Sequence, residues 1–321
     1  MTVPRGGAAS VQDGSEPAPT DVTVLGLDVG GTVIKGLVVD ATGIQVRREL
    51  RPTPALDGPN AVVRAIRSFA VDLAAGAGVG AAGVAVPGLV DPAAGRARYA
   101  ANLGWRDVPV AALLEDDLGV PVRVDHDVRT AGLAEAELGA ARGCRNYLFV
   151  AVGTGVAGAA CVDGRLVTGT GGAAGELGHI PVYPDGLPCA CGQRGCLEAY
   201  ASAAAIARRY TSRTGTALEA AAVASRIDND HIAAEVWTEA TSALGVALAT
   251  YTLIAGPELI VLGGGLSNAG DTLVTPVVNE LGARLAWIPV PRVTVAELGS
   301  DAGCIGATLL ARQGLTSVAR T

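Results

Sequence analysis

Three cysteines fall within eight residues in the stretch CACGQRGC (Cys189, Cys191 and Cys196), and His179 stands ten residues ahead of the first of them. Three thiolates and one imidazole complete a tetrahedral zinc shell with no open position, the closed arrangement of a structural site. Gly192 and Gly195 supply the turns that let so short a loop fold back on one ion. A second constellation is Asp125, His126 and Asp127, where the apolar run VPVRV passes into the helical pattern VRTAGLAEAELG. A carboxylate at that junction either caps the helix or, if it opens on a cleft, can take a proton as a general base. A third is glycine. DVGGTVIKG carries Asp28, Gly30, Gly31, Thr32 and Lys35 on a strand–turn–strand; VGTGVAG carries Gly153, Thr154 and Gly155; VLGGGLS carries Gly264 and Gly265, and AGCIGAT carries Gly303 and Gly306. Glycine turns let the backbone approach an anionic group and offer it N–H donors, and an acid such as Asp28 beside them can hold Mg²⁺ through water. Each cluster alone is equally explained by a tight turn or by a helix packing on a strand. The spacing fits neither the GxGxxG turn of a dinucleotide fold nor the GxxxxGK[ST] loop.

The elements that must position these residues follow from the hydrophobic pattern. Residues 22–51 read as a three-strand meander of β-rich runs between glycine turns. A helix over 59–75 follows, then a strand in GVAVPG, a loop through Asn102 and Trp105, a helix over 110–118 with Asp107 as its N-cap, and the strand VPVRVD. The pattern then starts again at NYLFVAVGTG, with VAGAACVDG and RLVTGT behind it. The cysteine loop comes next, then several helices including a long one over 230–255, strands in ELIVLGGG and RVTVAEL, and a final helix after Cys304. Strands alternating with helices predict an α/β fold, and two glycine-turned meanders predict an internal duplication with a cleft between the copies. The copies differ in one respect: Asp28 precedes the first turn, whereas Ala151 and Val152 precede Gly153 in the second.

Composition bounds the rest. The 321 residues are 50% hydrophobic and 17% charged, enough for two domains with cores of their own. The net charge of −7 and the absence of a basic stripe argue against a nucleic-acid partner. Lys35 is the one lysine in the chain. Residues 1–20 are rich in Pro, Gly and Ser with no apolar core, which reads as a disordered tail and not a signal peptide. The longest apolar stretch, LGVALATYTLIAG, falls short of the roughly 18 residues that span a membrane, so a cytoplasmic protein is expected. Cys144, Cys161 and Cys304 lie in apolar or small-residue contexts and are expected to pack as free thiols.

Taken in order, DVGGT, VPGLVD, NLGW, DHD, VGTGV, GELGH, CGQRGCLE and LGGGL resemble the ROK family of sugar kinases, within the actin-like, hexokinase-type ATPases, over about residues 24–310. The most specific part is GAAGELGHIPV followed by CACGQRGCLE. The resemblance implies a duplicated actin-like (ribonuclease H-like) two-domain fold with an interdomain cleft. The domains would be residues 21–126, completed by the C-terminal helix at 304–314, and residues 127–303 with the zinc loop. It implies ATP-dependent phosphorylation of a hexose 6-hydroxyl, with Mg²⁺ as cofactor and structural Zn²⁺, and a homodimer or homotetramer. Asp127 would be the base. Asn102, Glu176, His179 and Glu198 would bind sugar hydroxyls, His179 also serving the zinc with Cys189, Cys191 and Cys196. Gly30, Gly31, Thr32, Lys35, Gly153, Thr154 and Gly155 would line the triphosphate, Gly264 and Gly265 the adenosine, and Asp28 would orient the Mg²⁺.

The chain departs from the family at one place. Where members usually read Glu-Asn-Asp and then Ala-Asn, it has Asp125, His126, Asp127, Val128 and Arg129. The residue before the base normally touches the sugar. His126 therefore leaves two substrate readings open, glucose or an amino or N-acetylamino hexose such as N-acetylglucosamine, N-acetylmannosamine or kanosamine. A sugar-responsive repressor would need a winged helix-turn-helix ahead of DVGG, where about twenty polar residues stand, and a non-catalytic sugar-binding module would have no use for Asp28 and Asp127.

Overall fold

The computed structural model describes residues 22–318, so the tail expected over 1–20 lies outside the described residues. The first half runs β1 (Thr23–Val29), β2 (Val33–Val39), β3 (Gln45–Pro52), α1 (Pro59–Ala74), β4 (Val79–Val86), β5 (Leu89–Asp91), β6 (Arg96–Ala100), β7 (Trp105–Val108), α2 (Val110–Leu118), β8 (Val122–His126) and α3 (Asp127–Leu138). The second runs β9 (Tyr147–Val152), β10 (Val156–Val162), β11 (Arg165–Leu166), α4 (Glu198–Ala201), α5 (Ala203–Thr214), α6 (Ala220–Ala224), α7 (His231–Ala255), β12 (Leu259–Gly263), α8 (Asp271–Arg284), β13 (Arg292–Val295) and α9 (Ala302–Val318).

The duplication is visible in strand order. One sheet is β3-β2-β1-β4-β8 and the other β11-β10-β9-β12-β13. In each, three antiparallel strands joined by short turns continue into two parallel ones. The short turns suffice for the antiparallel pairs, while the parallel pairs need helical crossovers, supplied by α1 and α2 in the first half and by α5–α7 and α8 in the second. Val24, Leu25, Leu27 and Val29 of β1 are all fully buried, as befits a central strand covered on both faces.

Two expectations need correction. The loop through Asn102 and Trp105 is a third, antiparallel sheet of β5, β6 and β7, with Asn102 on a turn of 3₁₀ helix at Ala101–Leu103. Its strands are three to five residues long and carry Arg96 and Arg98, so they lack a long apolar alternation. Asp107 is also not the cap of α2, which begins behind Pro109 without a side-chain cap. Asp107 lies in β7 at φ 52°, where Arg96 and Arg98 from the neighbouring strand claim its carboxylate at 2.9 and 2.8 Å.

Helix α9 packs directly on the first sheet. A Cβ on Gly26 would come within 2.6 Å of the Cys304 carbonyl, and one on Gly83 within 1.9 Å of the Ala307 carbonyl. On its other side, a Cβ on Gly306 would lie 1.8 Å from the Thr130 carbonyl of α3. Glycines at these contacts let α9 sit between the sheet and α3, and so fix where α3 begins. Cys161 and Cys304 are buried and Cys144 is half-buried, all as free thiols. Among the described residues no helix is long and apolar enough to cross a membrane.

Candidate active site

The parallel strands β4 and β8 of the first sheet, and the turn between β9 and β10 of the second, end on one cleft of about 790 Å³. Its wall contains Asn102, His126, Asp127, Gly153, Thr154, Gly155, Glu176, His179, Glu198 and Gly264. Asp28, Gly30, Gly31, Thr32, Lys35 and Gly265 are outside that wall. The β1–β2 turn nevertheless adjoins it, because a Cβ on Gly31 would lie 3.3 Å from the Asn102 amide. Gly88 and Tyr99 also line the cleft and went unmarked by sequence reasoning. For Gly88 the available signal was a glycine closing a strand. It sits at φ 87°, with a Cβ position 2.1 Å from the Tyr99 carbonyl, so only glycine fits there.

Asp127 opens α3 at the head of the cleft. His126 is the N-cap: its Nδ1 accepts the Val128 N–H at 3.2 Å, which Asp127 Oδ1 shares at 2.7 Å. With Nδ1 an acceptor, the neutral ring carries its proton on Nε2, 3.3 Å from Asp127 Oδ1. Burial, followed by the charge of Arg129, pushes His126 down to about 4, so the ring is neutral near pH 7. Burial pushes Asp127 up to about 6 against the pull of the Val128 N–H and Arg129. A carboxylate poised there is ionised at neutral pH yet basic enough to accept a proton.

Asp28, on β1, lies 3.4 Å from Lys35 on β2. Lys35 also donates to the Ser300 carbonyl just ahead of α9. Burial lifts Asp28 to about 6 in spite of Lys35, and the charge of Asp127 adds to the rise. Gly303 in the first turn of α9 faces this carboxylate, with a Cβ position 2.9 Å from Asp28 Oδ2. The first sheet and α9 thus bring an acid, the chain's one lysine and a helix N-terminus together beside Asp127.

The second half contributes differently. Glu198 Oε2 accepts the Val156 N–H at 2.9 Å, and a Cβ on Gly155 would come within 2.6 Å of that oxygen. Gly264 lies at φ 79°, its Cβ position 2.5 Å from the Val152 carbonyl. Gly264 is demanded by the fold, and Gly155 only by the place of the Glu198 carboxylate, which a Cβ would push aside. Gly153 and Gly265 are not demanded: neither has a positive φ, and a Cβ on either would meet nothing within 4 Å. Open space over a bare backbone turn is what a ligand needs for close approach to N–H groups. Within the turn the Gly153 N–H is itself donated to the Gly155 carbonyl at 2.9 Å, so what the turn offers a ligand at Gly153 is room.

The metal cluster adjoins the same wall. The ligand atoms of His179, Cys189, Cys191 and Cys196 all lie within 4.8 Å of one another. Cys191 and Cys196 Sγ are 3.7 Å apart, and Cys189 Sγ is 3.8 Å from His179 Nδ1. The edge of a tetrahedral zinc–thiolate shell is about 3.8 Å, so the four residues fit Zn²⁺. Gly192 and Gly195 take φ 92° and 73°, the turns that close the loop. While Nδ1 of His179 faces the thiols, its Nε2 lies 3.9 Å from Glu176 Oε2, so one ring joins the metal cluster to the cleft.

A carboxylate of raised basicity, neighbouring polar side chains and two glycine turns suit transfer of a phosphoryl group to an alcohol. Comparison with known proteins agrees. A family model described as ROK family matches residues 24–314. The chain is 36% identical to a glucokinase of Halalkalibacterium halodurans, over 92% of this chain and 96% of that one. It is 32% identical to an N-acetylmannosamine kinase of Salmonella heidelberg, over 91% and 99%. Among solved structures it matches a ROK family glucokinase of Streptomyces griseus in complex with glucose and AMPPNP, at 31% identity and a TM-score of 0.80, covering 91% of this chain and 100% of that one. The actin-like two-domain fold is thus shared with those kinases, and the chain belongs to the ROK family.

Proposed function

We infer that this chain is an ATP-dependent hexose kinase acting on the 6-hydroxyl, with glucose as its substrate. The observation that carries the reading is the convergence of Asp127, raised to about 6, with Asn102, Glu176, His179 and Glu198 and the open turn at Gly153 in one cleft. In the reaction the sugar O6 attacks the γ-phosphorus, the bond to the leaving ADP oxygen breaks, and the hydroxyl proton passes to the Asp127 carboxylate. Asn102, Glu176, His179 and Glu198 hold the remaining hydroxyls and orient O6. The backbone at Gly30, Gly31 and Thr32, with Gly153, Thr154 and Gly155, cradles the triphosphate, and Gly264 and Gly265 flank the adenosine. Mg²⁺ supplies charge neutralisation of the phosphates, and Asp28 is the side chain that would orient it. Lys35, paired to Asp28 at 3.4 Å, tempers that carboxylate at the edge of the phosphate site. Zn²⁺, held by His179, Cys189, Cys191 and Cys196, would supply rigidity behind the hexose site.

A second reading is favoured by His126 in the cleft wall and by the likeness to the N-acetylmannosamine kinase. On it the substrate is an amino or N-acetylamino hexose. The protein is proposed to be cytoplasmic, to form a homodimer or homotetramer, and to bind no nucleic acid. ATP turnover measured over glucose, mannose, N-acetylglucosamine, N-acetylmannosamine and kanosamine tests the reading: glucose is expected to give the highest kcat/KM, and turnover of none of them would refute it.

A further inference from the structure

Arg129 is a charged residue with 1% exposure, in the first turn of α3, and its guanidinium is fully engaged. Nε and Nη2 bind Asp125 Oδ1 of β8 at 2.7 and 2.6 Å. Nη1 donates to the carbonyls of Gly172 at 3.1 Å and Ala174 at 3.4 Å, and Nη2 to the carbonyl of Val90 at 3.3 Å. Val90 is in β5 of the first half, whereas Gly172 and Ala174 belong to the loop of the second half that ends at Glu176. The two segments touch: a Cβ on Gly172 would lie 1.6 Å from the Val90 carbonyl. Gly169, Gly171, Gly172 and Gly175 all take positive φ, so this loop has almost no side chains to order it and a large backbone entropy to lose. A fork of donors that meets several carbonyls at once is the means by which one arginine can order such a backbone.

We propose that Arg129 is a positioning residue of the hexose site, latching the glycine loop that presents Glu176 onto strand β5 and onto the helix that carries Asp127. The role rests on the hexose-kinase reading for its consequence, though not for its geometry. Asp125 serves as the counter-charge that keeps the guanidinium buried, and its Oδ1 is further held by the His126 N–H at 2.7 Å. Sugar contact and base are thereby set from one buried cation.

The test uses the full chain and two variants. Arg129→Lys keeps the charge and loses the fork; Asp125→Asn with Arg129→Gln removes both charges, so that no carboxylate is left buried alone. Hydrogen exchange over residues 168–177 is expected to quicken by about tenfold or more in both variants, with α7 and β12 unchanged. The hexose KM is expected to rise about tenfold while that for ATP stays within about twofold, with Arg129→Lys the milder of the two. Unchanged loop exchange in a folded variant overturns the latch without recourse to turnover, and so is separate from any failure of the wild-type chain to phosphorylate hexoses. Equal changes in both KM values, or none, overturn the positioning role.

Discussion

The β1–β2 turn and the β9–β10 turn occupy equivalent places in two sheets of the same strand order, yet they are built from opposite chemistry. The first is charged: Asp28 and Lys35 face each other across the hairpin, and the N-terminal turn of α9 closes on the acid. The second carries no ionisable side chain between Val152 and Val156, and its Gly153 N–H is donated to the Gly155 carbonyl and its Val156 N–H to Glu198. On the proposed hexose-kinase reading, the duplicated hairpin has diverged so that one copy would manage charge at the phosphate site and the other would couple the phosphate turn to Glu198.

Removing the charge from the first turn should have the largest effect. Asp28→Asn is expected to lower kcat by about 10²–10³-fold and to raise the Mg²⁺ concentration needed for half-maximal rate; steady-state rates over a Mg²⁺ titration check this, and an unaltered Mg²⁺ dependence would make Asp28 a mere partner for Lys35. The zinc cluster comes next. Cys191→Ser should cost the chain its zinc, about one per chain by metal analysis, together with a lower Tm and a hexose KM raised about tenfold through His179. The second turn offers a finer contrast. In Gly155→Ala the new Cβ meets Glu198 Oε2 and should raise the hexose KM about tenfold. In Gly153→Ala it meets nothing in the protein, so the fold is unharmed and only the ATP KM rises, by a similar factor. The smallest effect is expected at the cap of α3. His126→Asn should raise kcat/KM for glucose relative to N-acetylglucosamine by about threefold to tenfold, and an unchanged ratio would remove His126 from substrate choice.

The contrast between the turns also shows what was legible in the sequence. Both hairpins could be read because glycine turns and β-rich runs are local signals, and the zinc loop because its four ligands fall within residues 179–196. The sheet β5–β7 could not: its strands are short, and Asp107 is held by arginines of β6 and not by the helix it precedes. Whether Asp127 is a cap or a base was likewise undecidable from spacing, since the cap depends on one turn of helix and the base on a cleft assembled from both halves. In the structure the side-chain cap is His126, which leaves Asp127 facing the cleft. Arg129 was visible only as a departure from the family pattern, because the carbonyls it binds lie some forty residues away on either side.

Asp127→Asn tests the central claim most directly. Hexose binding, by calorimetry, should stay within about threefold of wild type while kcat falls about 10²–10⁴-fold. The wild-type rate should itself fall as the pH drops through about 6, because the raised carboxylate becomes protonated there and can no longer accept the hydroxyl proton. The same rise makes the ionised carboxylate a cost to folding above that pH, so Asp127→Asn should melt slightly higher than wild type at pH 7.5. A variant that keeps more than about a tenth of the wild-type kcat would contradict the account and return Asp127 to the role of a helix-start residue.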